Sequence, residues 1–200
     1  IINRYRSDYS DKLKDGLDEM LKELLPTKGF SLSYFKGWDQ SQLLEEILSG
    51  NLQKDIKFGF TSAGPHRADL KIKIGKELAS DVLSRGQQKL LVIAMKLAQA
   101  KILKSVSQKG CVFLVDDLPA ELDSINKAKV LKMLSELGDQ IFITGIDKDA
   151  LYGPLQKDKE MKLFHVEHGK ISENGRATCR EGCEKTLVVR TLTKTRRKVA

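Results

Sequence analysis

Two hundred residues are enough for one sizeable core or two small lobes, and 40% hydrophobic with 31% charged residues is the balance of a folded chain rather than a disordered one. The longest apolar runs, such as Cys111 to Val115, are far too short to span a bilayer. The formal charge of +8 favours acidic partners such as nucleic acid, but eight basic against three acidic residues between Ser172 and Ala200 place +5 there and leave only +3 for the rest.

In chain order, Leu13, Leu17, Met20, Leu21, Leu24 and Leu25 recur at helical spacing until Pro26 stops the run. Gly29 to Gly37 reads as a short strand or loop. Asp39 is placed to cap a helix carrying Leu43, Leu44, Ile47 and Leu48, with Gly50 just past its end. Leu70, Ile72 and Ile74 alternate with lysines, which predicts a half-buried strand. A helix follows over about 87–104, with Leu90, Ile93, Ala94, Leu97 and Ala98 on its apolar face. Val112 to Val115 is continuously apolar, the pattern of a parallel strand covered on both faces. Ser124 is a candidate cap for a helix with Val130, Leu131, Leu134 and Leu137; Ile141 to Ile143 supplies another short strand. Met161 to Val166 and Ile171 predict a hairpin around His168-Gly169.

Strand, helix, strand in this order argues for a wound α/β unit. The expected division is a helical lobe over 1–57, an α/β part over 58–171 and a basic tail over 172–200, expected to be disordered, in which Leu187-Val188-Val189 is the one apolar cluster. The chain opens on Ile1-Ile2-Asn3 without a basic-then-apolar leader, so a fragment or processed chain is expected and a secreted one is not. Three cysteines make no disulfide framework: Cys111 is expected to be a buried thiol, Cys179 and Cys183 free ones, in a reducing, cytoplasmic setting. His165 and His168 would point to opposite faces of a strand, which disfavours a metal site.

Two segments carry chemistry. The strand Val112 to Val115 ends in Asp116-Asp117, at the carboxyl edge of a parallel sheet, where α/β folds bind ligands. One carboxylate there can hold Mg²⁺ through water, and the next can orient an attacking water or take its proton; the bland alternative is an aspartate that starts a turn. Leu83-Ser84-Arg85-Gly86-Gln87-Gln88-Lys89 sets a hydroxyl, a cation and a glycine at a helix start, where unpaired N–H groups and the helix dipole attract anions. Its bland alternative is an ordinary serine N-cap.

Asp116-Asp117-Leu118-Pro119-Ala120-Glu121-Leu122-Asp123 resembles the Walker B motif and D-loop of ATP-binding-cassette ATPases, and Ser84-Arg85-Gly86-Gln87-Gln88 resembles their signature motif. Arg85, in place of the usual glycine, and Gly64-Pro65-His66-Arg67-Ala68-Asp69 with Phe35-Lys36-Gly37-Trp38-Asp39 are similar to the RecF family in particular. The resemblance runs from near the start to about Ile171. It implies an α/β, cassette-like head fragment with a helical lobe and a partial, mainly parallel sheet. By the same resemblance, Asp116 is the magnesium-linked aspartate and Asp117 stands at the catalytic-base position, where most cassette proteins have glutamate. Ser84, Arg85, Gly86 and Gln87 would touch the γ-phosphate held by a partner head, and Asp123 would work at the interface between heads. Thr144 stands where many relatives have a phosphate-contacting histidine.

RecF-like proteins are implied to use ATP and Mg²⁺, to dimerise with ATP, to bind gapped or single-stranded DNA, and to act with RecO and RecR in loading RecA, supporting repair and the SOS response. No Gly-x-x-x-x-Gly-Lys-Ser/Thr phosphate loop occurs in the sequence, so this chain alone is expected not to hydrolyse ATP. Competing readings are an SMC-like chromosome-organising head, which would need flanking heptads, a transporter ATPase subunit, disfavoured by Arg85, and a passive basic DNA-binding module.

Overall fold

The computed structural model describes residues 1–108, 110–118, 122–145, 161–167, 170–173 and 185–190. Helix α1 (Ile2–Leu24) buries Leu13, Leu17, Met20, Leu21 and Leu24 along one stripe and ends two residues before Pro26. Strand β1 (Phe30–Phe35) follows, then α2 (Leu44–Phe58). Strand β2 (Asp69–Ile74) has the predicted alternation and pairs antiparallel with β1, setting Leu32 opposite Ile72. A tight turn leads into β3 (Glu77–Leu78), which closes this three-stranded sheet in the order β1-β2-β3.

Two expectations about α2 fail. Asp39 is not its cap: the carboxylate accepts from the Ser41 hydroxyl at 2.6 Å and the Ser41 N–H at 2.8 Å, forming a local turn. Those two bonds, the hydroxyl's first, hold its pKa below the ordinary value. Nor does Gly50 end the helix. It lies inside α2, and Gly59 terminates it in the left-handed conformation, φ 73°, that glycine adopts without a Cβ penalty.

Helix α3 (Ala79–Val82) leads into the long α4 (Arg85–Ser107), whose buried face is Leu90, Leu91, Ala94, Leu97, Ala98 and Ala100. Helices α1 and α4 pack along one another and touch where Gly16 meets Ala98: a Cβ at 16 would stand 3.4 Å from that of Ala98. Leu13, Leu17, Ala94 and Leu97 fill this seam, each leucine contributing roughly 2 kcal/mol by leaving water. The α1–α4 packing and the β1–β2 pairing both join residues across the division expected near 57/58, so the two parts share one core.

Strand β4 (Val112–Val115) runs parallel to β5 (Gln140–Gly145), and α5 (Ser124–Glu136) connects them. Asp139, just before β5, is almost fully buried, and Lys104 near the end of α4 reaches it at 3.2 Å while also donating to the Leu137 carbonyl. Strands β6 (Met161–Glu167) and β7 (Lys170–Glu173) make the expected hairpin; His168 and Gly169 at its turn lie outside the described residues. The second sheet has the order β4-β5-β8-β6-β7, where β8 is Lys185–Arg190.

Since β8 is antiparallel to both β5 and β6, strands β4, β5 and β6 share one direction while β7 and β8 run against it. The expected parallel set is therefore present in direction, with β4–β5 as the one adjacent parallel pair among the described residues. The tail departs from expectation: Leu187-Val188-Val189 lies within β8, because two flanking strands supply partners for a segment whose own pattern is too short to signal a strand. Cys179, Cys183 and Lys194 to Lys198 lie outside the described residues.

Strand β4 departs from expectation as well. Leu114 is 78% exposed, so the strand is not covered on both faces. It is the sheet's edge, and its apolar content is matched by cover on one side only. Cys111 is half-buried rather than buried.

Candidate functional site

The carboxyl ends of β4 and β5 lie side by side. Their register sets Val115 opposite Ile143, which brings the next residues, Asp116 and Thr144, together. The Thr144 hydroxyl donates to the Asp116 carboxylate at 2.6 Å and accepts the Asp117 N–H at 2.8 Å. The Leu118 N–H adds a bond to the Thr144 carbonyl at 3.3 Å. One half-buried threonine thus fixes both the Asp116 side chain and the backbone that presents Asp117. Asp117 itself is left-handed, φ 45°, a conformation uncommon outside glycine although aspartate tolerates it better than most. Leu118 and Leu122 are buried, while Asp116 and Asp117 are both exposed.

This donor set suits a hard, hydrated cation. Magnesium keeps several waters and takes one or two carboxylates, so an exposed strand-end pair fits it without further protein ligands. Among the described residues no group of three or more acidic, histidine or cysteine side chains is gathered to enclose a metal.

Ser84, Arg85, Gly86 and Gln87 form the first turn of α4. Ser84 is its N-cap, and the pair makes a capping box: Ser84 Oγ accepts the Gln87 N–H at 3.3 Å and Gln87 Oε1 accepts the Ser84 N–H at 2.9 Å. The bland role is thus real for Ser84 and Gln87. It leaves the N–H groups of Arg85 and Gly86, which have no acceptor within the helix, pointing out of the helix start. Gln88, to which sequence reasoning assigned nothing, donates to the Ser80 and Leu83 carbonyls at 2.9 and 3.0 Å and holds the approach to this turn.

Asp123, not Ser124, caps α5: its carboxylate accepts the Asn126 N–H at 2.7 Å and the Asn126 amide at 2.9 Å. Aspartate wins over the adjacent serine because its two oxygens serve two donors at once. Pro119, Ala120 and Glu121 of the same loop lie outside the described residues.

The two phrases Phe35 to Asp39 and Gly64 to Asp69 meet. The Gly64 N–H donates to the Gly37 carbonyl at 3.1 Å, and a Cβ on Gly37 (φ 101°) would collide with the Gly64 carbonyl oxygen. Arg6 of α1 donates to the Pro65 carbonyl at 2.8 Å. His66 Nε2 lies 2.9 Å from the Thr61 carbonyl and Arg67 stacks over Phe60, so this segment is a braced turn.

Sequence reasoning did not foresee the Thr144 bridge. The signal was present in the equal distance of Asp116 and Thr144 from the ends of their apolar strands, but it becomes readable only once the β4–β5 register is known.

An α/β fold whose sheet ends in an acidic pair, with a capped long helix packed on it, is a domain of the RecF and SMC kind. The family model described as RecF/RecN/SMC N terminal domain matches residues 3–172, and the chain belongs to that family. It is 43% identical over 171 residues to the DNA replication and repair protein RecF of Chromohalobacter salexigens, covering 86% of this chain and 47% of that protein. The RecF of Pseudomonas fluorescens is 42% identical over 172 residues with the same coverage. A solved structure of the recombination mediator protein RecF with ATPrS, in the RecFOR pathway, superposes with a TM-score of 0.66 at 28% identity, covering 86% of this chain and 46% of that one. The chain spans about half the length of the curated relatives it matches.

Proposed function

We propose that this chain is the signature-and-acid-pair portion of a RecF-type DNA replication and repair head, whose phosphate loop lies in sequence outside it. The carrying observation is the Thr144 hydroxyl that holds Asp116 and Asp117 together at the strand end. In this reading Asp116 holds Mg²⁺ through water, Asp117 takes the base position, and Thr144 keeps both aligned. Ser84, Arg85, Gly86 and Gln87 meet the γ-phosphate bound by a second head, with the Arg85 and Gly86 N–H groups as ready donors. Asp123, already committed to its cap, lies at the junction of heads. ATP then joins two copies into a homodimer on gapped or single-stranded DNA, in a cytoplasmic pathway with RecR and RecO that loads RecA and feeds the SOS response.

The same reading predicts that the chain alone neither binds ATP tightly nor hydrolyses it; a titration returning micromolar affinity overturns that. The principal test co-expresses the chain with the part of the Chromohalobacter salexigens relative outside the matched region. ATP-dependent dimerisation is then followed by sedimentation. Ser84→Arg is expected to abolish dimerisation, and Asp116→Asn its dependence on Mg²⁺. Dimerisation indifferent to Ser84→Arg removes the trans-phosphate role.

A further inference from the structure

Strands β5 and β6 both lie inside the family match over 3–172, yet in this sheet they meet only through β8, which lies beyond it. The gap is one strand wide along its length: Ile141 and Met161 flank Arg190, Ile143 and Leu163 flank Val188, and Thr144 and Phe164 flank Leu187. Left empty, it would expose two facing rows of backbone N–H and C=O groups in the middle of a sheet, which folded proteins do not tolerate. A relative that keeps this spacing of β5 and β6 would need another strand in the gap, and the match leaves about half of its length as a source for one.

Direction narrows the occupant. Because β4, β5 and β6 already run the same way, a strand parallel to them would complete a continuous four-stranded parallel block, whereas β8 enters against that direction. A second apolar surface is open to solvent as well. Beside the β4 edge an apolar groove of about 590 Å³ is lined by Val92, Leu103, Val112 and Leu114, whose exposed apolar side chains suit a buried setting.

We propose that the gap between β5 and β6 is a strand-acceptor site, filled here by the chain's own residues 185–190, whose competing occupant is a parallel strand from the complementary part of a RecF-type head. The proposal rests on the reading above that the chain is a portion of a larger head. It makes β8 a plug: assembly of the head requires this strand to leave, and both occupants cannot be present together.

Hydrogen exchange on the whole chain reads the plug directly. Amides of 185–190 are expected to be protected together with those of β5 and β6; full exposure of 185–190 overturns the proposal. Capture is measured with the tagged part of the Chromohalobacter salexigens relative outside the matched region, using three forms of the chain. Val188→Pro, which removes a β8 N–H, is expected to raise capture about tenfold over the unaltered chain. Phe142→Cys with Val189→Cys, opposite one another across β5 and β8, with Cys111, Cys179 and Cys183 replaced by serine, is expected to block capture when oxidised and to restore it when reduced. Reversal by reductant separates a locked plug from a misfolded variant. Equal capture of all three forms overturns the plug and leaves the larger-head reading standing. Failure to capture any form, with 185–190 protected, overturns the larger-head reading and the acceptor with it.

Discussion

The α1–α4 seam and the β4 edge are built from the same kinds of residue and end in opposite states. In the seam, Leu13 and Leu97 are within 1% of complete burial; at the edge Leu114 is 78% exposed. The seam closes because α1 and α4 each offer a full helical stripe and a small residue, Gly16 or Ala98, where their axes approach. The edge stays open because a strand apolar on both faces needs cover from two sides and here receives it from one. A packed helical layer is thus self-sufficient in this chain, while its sheet is not.

Substitutions can break or sharpen that contrast. Leu97→Ala should cost about 3 kcal/mol in denaturant unfolding, since a cavity opens in a seam that cannot collapse. A cost below about 1 kcal/mol would mean that the seam is loose. Lys104→Met should cost about 2 kcal/mol, because it leaves the buried Asp139 without its cation and the Leu137 carbonyl without its donor. Lys104→Met combined with Asp139→Asn should recover part of that loss, and a strictly additive double variant would refute the coupling.

Ser84→Ala should cost about 1 kcal/mol in thermal or chemical unfolding by removing the cap on α4, whatever its role towards phosphate. Leu114→Ser should change stability by less than about 0.5 kcal/mol in this chain and lower its tendency to aggregate in light scattering. If it instead costs as much as Leu97→Ala, the edge is covered in solution and the contrast disappears.

The elements that stand on their own periodicity were legible in the sequence: the stripe of α1, the alternation of Leu70, Ile72 and Ile74, and the face of α4. Where more than one residue could do a job, the one expected from the sequence was not the one the fold uses. Gly50 and Gly59 are both possible helix ends, and a glycine inside a helix costs only about 1 kcal/mol, so context let α2 run through the first. Asp123 and Ser124 are both possible caps, and the number of donors decided. Features that depend on pairing were hidden. The strand at 185–190 exists through its two partners, and the Thr144 link to Asp116 exists through a register that no local pattern encodes.

The corner where Gly37 meets Gly64 couples distant parts of the chain. No side chain is admitted at 37, because the carbonyl of a residue far along the chain already occupies that space. Arg6 then ties the same corner to the first helix through Pro65. Three stretches distant in sequence are thereby fitted to one another like parts of a keyed joint, so a change of shape in one must be met by movement in the other two.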